Sequence, residues 1–464
     1  MTDISFFTAT ELGPLIKSLQ LSPVELTKDM LSHIDRIDPL LHTYITPLHE
    51  LALKQAREAE NEIMRGEYKG PLHGIPIGIK DNYFTKGIRT TVGSKLFADF
   101  IPDKNATAVE KLLEAGTIML GKQNMHELAA GSTGTNFFFG STRNPWNTQY
   151  MPGGSSGGGT ASLAAGMATL ATGTDTFGSI RLPAAMCGVY GLKPTYGLVS
   201  THGVFPTAWS LDTAGPMARS VSDLALMLHY MAGFDPNDPA SLNVSIPNYK
   251  KSLNKGIKGV KIGIPTFYLE GLDPDVEQLF QQAIATLRSL GAEIKEIVIP
   301  ELTMSTFAGY ATVTGEASTL HHKWLQTNSK DYSADIRTFF LAGALTNTAQ
   351  YVQAQQTRRK MVEAFHKAFK DVDILLGPTI PIATQAFSEN WLNQNLDVIG
   401  QCLPFTSPVN LTGTPGLSVP MGLDQRGIPV GMQFIGNHLS EKLLLQVGNA
   451  WENTAPLSFR IQKR

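Results

Sequence analysis

Apolar positions recur at helical spacing in the first part of the chain. Leu26, Met30, Ile34 and Ile37 share one face behind Ser22-Pro23-Val24-Glu25. That tetrapeptide supplies an N-cap, a proline at the first helical position and an acid at N3. Residues 51–64 form a second amphipathic stretch with charges on one face. After Pro71 the texture changes. Ile75-Pro76-Ile77-Gly78-Ile79 is a short apolar run ending at Lys80-Asp81, the pattern of a buried strand entering a loop. Residues 108–115 predict a helix and 117–120 a strand. A Gly/Ser-rich loop at 152–159 then leads into a helix of small residues over 160–172, and a second glycine-rich turn follows at 173–179. Residues 222–231 read as a helix. From Gly256 the pattern restarts with a strand at 260–264, a helix at 274–290 and a strand at 293–299. A long helix over 348–369, strands at 374–376, 416–419 and 430–435, and a last helix near 440–452 complete the series.

This alternation of strands and helices predicts an α/β fold: a single large domain with a mixed central β-sheet wrapped by helices. The expected regions are a helical N-terminal part (1–70), a catalytic core (71–225), a peripheral α/β region (256–390) and C-terminal core strands with a helix (400–464). The 464 residues are 42% hydrophobic and 17% charged, which is enough for a large core under a moderately charged surface. With net charge −2, no global field favours nucleic acid or an anionic membrane. Cys187 and Cys402 offer neither a disulfide framework nor a metal quartet, which fits a reducing, cytoplasmic setting. The opening MTDISFF lacks a basic region followed by an apolar run, so no signal peptide is expected. No stretch reaches the roughly 18 apolar residues of a membrane helix.

The chemistry centres on two glycine-rich turns. The first is Gly153-Gly154-Ser155-Ser156-Gly157-Gly158. The second runs from Gly173 to Arg181 and contains Ser179, 24 positions after Ser155. A serine nucleophile needs a partner that removes its proton, N–H donors aimed at the developing oxyanion, and a chain free to adopt tight dihedrals. Successive N–H groups at Thr176, Phe177, Gly178 and Ser179 could form the oxyanion cradle. No histidine stands beside either turn. A lysine held neutral by apolar burial is the alternative base. Lys80, behind its apolar run, is the first candidate, and Lys193 in Gly-Leu-Lys-Pro is its rival.

These blocks resemble the amidase-signature hydrolases. The chain carries GGSSGG at 153–158, GTDTFGSIRLPA at 173–184 and the following blocks at 188–195 and 210–216. GIPIGIKDN at 74–82, GTPGLSVPMG at 413–422 and PVGMQFIG at 429–436 extend the likeness over nearly the whole chain. The resemblance implies Ser179 as nucleophile, Ser155 as bridging serine behind a cis Gly154–Ser155 peptide, and Lys80 as base. It further implies an oxyanion hole at Thr176, Phe177 and Gly178, and a substrate rim at Ala129, Ala130, Gly131 and Ser132. The implied chemistry is acyl transfer to water from a small-molecule amide. It calls for no metal or organic cofactor and no nucleic-acid or membrane partner, and it leaves room for a homodimer.

The chain departs from the family pattern at Phe177 and at Gly159-Thr160, where many relatives have Ser-Ala, and from one member type at Leu403. Phe177 stands where a second glycine is usual, which would be costly at positive φ and places a ring toward the acyl pocket. Leu403 stands where one member type, the glutamine-hydrolysing subunit of a tRNA-dependent amidotransferase, has an aspartate that holds the glutamine amino group. The leading expectation is therefore a free-standing amidase. The glutamine-hydrolysing protein is the alternative, and a catalytically silent binding protein of the same fold is a third. Other signals have plainer readings. Asp175, Arg181 and Ser156 read as braces of the turns, and Cys187 as a packed thiol. The eleven histidines lack metal-site spacing. Gly116-Thr117-Ile118-Met119-Leu120-Gly121-Lys122 fits a phosphate-loop pattern, but Gln123 follows where Ser or Thr is needed.

Overall fold

The computed structural model describes residues 4–454; the outermost parts of the N- and C-terminal regions read above lie outside them. Eleven strands form one mixed sheet. In chain order they are β1 (Tyr44–Pro47), β2 (Pro76–Lys80), β3 (Ile118–Gln123), β4 (Leu170–Asp175), β5 (Tyr190–Lys193), β6 (Thr213–Ala218), β7 (Lys261–Pro265), β8 (Glu293–Ile297), β9 (Ile374–Pro378), β10 (Gly416–Leu423) and β11 (Pro429–Gly436). Their order across the sheet is β1-β3-β2-β4-β6-β5-β10-β11-β9-β7-β8. β2 runs parallel to β3 and β4, whereas β4, β6, β5, β10, β11 and β9 pair antiparallel in succession. The strands of the 256–390 region extend this same sheet at one edge and build no second one.

Most predicted elements fall where the periodicity put them. Ser22 caps the helix Pro23–Leu41 by accepting from the N–H groups of Val24 and Glu25. The stretches near 274–290, 348–369 and 440–452 form the helices Pro274–Ser289, Thr348–Ala368 and Glu441–Glu452. The small-residue helix differs. It spans only Gly157–Ala164, and 170–175 is the central strand β4. A fully buried run of Ala, Gly, Thr and Leu has no amphipathic period, so spacing does not separate helix from strand there. A strand also occurs in the N-terminal helical region: β1 covers the edge of β3 in antiparallel register.

The strand alternation gives the sheet two different faces. Ile77 and Ile79 of β2, Met119 of β3, and Met432 and Phe434 of β11 join the largest apolar cluster, with the helices Val221–Met231, Pro274–Ser289 and Glu441–Glu452. The opposite face carries the buried helices Gly157–Ala164 and Arg181–Cys187. Helices Ser305–Thr327, Ala334–Ala344, Thr348–Ala368 and Trp391–Leu411 pack on one another in a separate apolar cluster with Leu375 and Ile435. None of the four contributes a strand, and they supply one wall of the cleft described next.

Candidate active site

The site begins with the pleat of β2. Since Ile77 and Ile79 point into the large apolar cluster, Gly78 and Lys80 point to the other face, toward the helix Gly157–Ala164 and the loop before it. Lys80 is 1% exposed. Its Nζ lies 2.8 Å from Ser155 Oγ, 2.8 Å from Ser156 Oγ and 2.7 Å from Thr174 Oγ1. Burial pulls its ammonium down from the ordinary lysine value to about 7, against the opposing charges of Asp175 and Asp212. At neutral pH about half of the amine therefore carries a free lone pair.

The hydroxyl pattern around Lys80 indicates where that lone pair points. Ser156 Oγ donates its proton to the Thr174 carbonyl at 3.3 Å, so it receives an N–H from Lys80. Thr174 Oγ1 accepts from Asn82 Nδ2 at 3.2 Å and from Lys80. A neutral amine has two N–H bonds in this arrangement and both find acceptors. That leaves Ser155 Oγ, at 2.8 Å, as the third contact of the nitrogen, on the side not taken by those two N–H bonds when the amine is neutral.

The Gly154–Ser155 peptide is cis. The Ser155 carbonyl accepts from the His126 N–H at 3.1 Å, and the Ser156 N–H donates to the Ser179 carbonyl at 3.3 Å. The two serine turns are thus joined through backbone. No hydrogen bond joins Ser155 Oγ to Ser179 Oγ. Ser179 is 8% exposed and lines the cleft.

Asp175 braces the turn that carries Ser179. Its carboxylate accepts from the N–H groups of Gly178 (2.7 Å) and Ile180 (3.2 Å), from Arg181 Nε (3.0 Å) and from Asn410 Nδ2 (2.9 Å). Burial by itself would raise this carboxyl, but Arg181, Lys193 and Asn410 hold it at about 2. The Gly178 N–H is committed to this brace, and its φ of 111° lets the chain turn there. Among the described residues no acceptor pairs with the N–H groups of Thr176, Phe177 or Ser179. Phe177 is absent from the residues with positive φ, so its side chain carries no backbone penalty. Its carbonyl accepts from Thr406 Oγ1. Asp212 holds the Thr176 hydroxyl and the N–H groups of Thr207 and Ala208; burial pushes it up to about 6.

A cleft of about 440 Å³, counted out to its open mouth, meets Ser179, Thr176 and Phe177. Ala129, Ala130, Gly131 and Ser132 line the same cleft. This rim loop is held from beneath. A Cβ at Gly131 would lie 2.1 Å from His126 Nε2, so only glycine fits against that ring. His126 Nε2 contacts Asp335 Oδ2 at 3.1 Å, Asn395 Nδ2 donates to Asp335 Oδ2 at 2.9 Å, and Asn395 Oδ1 accepts from the Ser132 N–H at 3.1 Å. Leu128 and Ala129 both have positive φ (52° and 56°), an uncommon conformation for such residues.

The rival lysine sits elsewhere. Lys193 is also buried and also pulled down to about 7, but its Nζ donates only to the Pro194 carbonyl, at 2.8 Å. Lys122 pairs with Asp81 and donates to Thr85, Thr90 and the Tyr83 carbonyl. Cys187 is buried beside the Pro152 carbonyl. No group of three or more His, Cys, Asp or Glu side chains suited to a metal ion occurs among the described residues. No helix among them is long and apolar enough to cross a membrane.

Sequence reasoning missed several contributors. Asn82 lies inside a recognised block and could have been taken as a partner of the lysine. The His126–Asp335–Asn395 link joins residues more than 200 positions apart along the chain, and no local signal announces it. The cleft walls at Val313, Phe339 and Ile399 were likewise invisible.

The amidase family model matches residues 25–445. A glutamyl-tRNA(Gln) amidotransferase subunit from Geobacter metallireducens is 42% identical over 472 residues, covering 96% of each chain. Among solved structures, a protein described with a vestigial complex and the origins of an s-triazine catabolic enzyme superposes with TM-score 0.92 at 32% identity, covering 98% of this chain and 100% of its own. A bacterial aryl acylamidase superposes with TM-score 0.90 at 28% identity, covering 98% of each. The separation from the amidotransferase protein expected from Leu403 gains no support from these relationships.

Proposed function

This chain belongs to the amidase family, a hydrolase acting on carbon–nitrogen bonds, and from that premise we propose that it cleaves a small carboxamide through an acyl-enzyme on Ser179. Lys80 is the base and Ser155 the relay. A rotation of the Ser179 hydroxyl toward Ser155 closes the second link when an amide occupies the cleft; hydrogen bonds of this kind are commonly loose in an empty site. The Ser179 proton passes to Ser155 as the Ser155 proton passes to the Lys80 lone pair, and Ser179 Oγ adds to the carbonyl carbon. The oxyanion meets the N–H groups of Thr176, Phe177 and Ser179, while Gly178 shapes the turn. The proton returns through Ser155 to the departing nitrogen, the C–N bond breaks and the amine leaves. Water then adds to the ester by the same route and releases the acid.

The observation that carries this reading is the buried Lys80 amine 2.8 Å from Ser155 Oγ, with Ser156 and Thr174 taking its N–H bonds. The test is labelling with a fluorophosphonate probe, read by intact mass. Modification in the wild type and none in Ser179→Ala is the expected result. A well-folded protein that takes up no probe would refute the reading and favour a silent binding protein.

A second reading is glutamine hydrolysis within a multi-subunit amidotransferase. The 42% identity to a protein of that name favours it. Co-purification with a partner protein, together with strict glutaminase activity, would establish it over a free-standing enzyme acting on other amides.

A further inference from the structure

The cleft beside Ser179 has a consistent chemical character. Leu182, Val313, Phe339, Ile399, Leu403 and the Phe177 ring form its walls, and no side chain lining it carries a charge. Besides Ser179, four hydroxyl side chains line the wall; three of them are committed as donors, and that of Ser132 on the rim is not. Thr406 donates to the Phe177 carbonyl, Thr207 to the Leu128 carbonyl at 3.0 Å and Thr176 to Asp212. The arginines of this region face elsewhere. Arg181 is held by Asp175, Gln433 and Asn410, and Arg358 by the Leu411 carbonyl and Ser210. Cys402, also on the wall, is kept protonated by burial.

An ionised group brought into such a cleft loses its water and gains no counter-charge, which disfavours it strongly unless it is paired. An apolar acyl chain gains by the same burial. Resting on the acyl-enzyme reading above, we propose that this enzyme's substrates are uncharged amides with an apolar acyl group. By the same argument, amides that carry an ammonium or carboxylate on the acyl chain, glutamine included, are rejected. Leu403 is the specificity-determining position, because it lies on the wall together with Cys402 and Thr406 from successive turns of the helix Trp391–Leu411.

The test compares amides of matched length: hexanamide, 6-aminohexanamide and adipic acid monoamide, with benzamide and L-glutamine alongside. The expected kcat/KM for hexanamide or benzamide exceeds that for each charged amide by at least about 100-fold, the scale set by leaving a charge unpaired in a buried site. Leu403→Asp should move the ratio of 6-aminohexanamide to hexanamide by at least about tenfold toward the cation, and Leu403→Asn by less. Equal or better turnover of glutamine or of the charged hexanoyl analogues overturns the proposal. So does fluorophosphonate labelling of Ser179 without turnover of any neutral amide. Absence of labelling marks failure of the underlying acyl-enzyme reading instead. Should Leu403→Asp not fold, the wild-type panel decides alone.

Discussion

Lys80 and Lys193 lie on strands of one sheet, both are fully buried, and burial pulls both amines down to about 7. Their surroundings separate them. Lys80 meets three hydroxyls, Ser155 and Ser156 from the first glycine-rich turn and Thr174 from β4. Lys193 meets one backbone carbonyl, which can only accept. A depressed ammonium is thus necessary for a lysine base but does not make one; the partner on the lone-pair side does. Asp175 lies near both and raises both amines, so it does not tell them apart, whereas their hydrogen-bond partners do.

The comparison breaks most visibly if the wrong lysine matters. Lys80→Met should lower kcat by about 10³–10⁴, the upper range for removal of a general base. Stopped or continuous amide assays check this, and near-normal turnover would remove Lys80 from the mechanism. Ser155→Ala should cost about 10²–10³ in kcat with KM little changed, because the relay acts in the transition state. Thr174→Val sharpens the picture in a subtler way. It should cost about tenfold and move the acid limb of the pH profile downward, since the protonated amine loses an acceptor that it needs more than the neutral one does. In the wild type that limb should lie near pH 7, with kcat/KM rising as Lys80 loses its proton and falling below it.

The smallest effect on activity is expected at Lys193. Lys193→Met should keep kcat/KM within about threefold, as expected of a residue that touches no reacting group. Its stability should move instead. The unfolded lysine keeps its ordinary value of 10.5 and is protonated at pH 8, whereas the folded one, at about 7, is mostly neutral. The unfolded chain therefore binds more protons between those values, and stability rises with pH across that window. Removing the amine should recover up to about 3 kcal/mol at pH 8, less the bond to Pro194, and progressively less toward pH 10.5. Thermal melts at pH 7, 8.5 and 10 read this out. Lys80→Met should gain less, since three buried hydroxyls lose a partner, while its activity is abolished, and a variant pair in which stability and activity moved together would undo the contrast.

Much of this was legible along the chain, for definite reasons. The strand at 76–80, the two glycine turns and the late strands are short segments whose local pattern fixes their conformation. The helix over 160–172 was misplaced in part, because residues buried on every side carry no periodic signal and β4 begins where that helix was expected to continue. The concern over Phe177 was settled by the backbone: the positive φ falls one residue later, at Gly178. Leu403 shows the opposite limit. Its identity is plain in the sequence, but its meaning depends on Val313 and Phe339, which other helices bring to the same cleft.

By itself, the order of residues determined which side chains could do chemistry. A lysine after an apolar run, two serines in glycine turns and an aspartate–arginine pair beside one of them are properties of short segments. Only the folded sheet decided which lysine meets the serine hydroxyls, because the pleat of β2 sends Lys80 to the face where the helix Gly157–Ala164 begins, while β5 delivers Lys193 to a carbonyl. The cleft was likewise decided in three dimensions. Its walls come from helices far apart in sequence, and whether a buried surface is charged or apolar is fixed by what packs together and not by what is covalently adjacent.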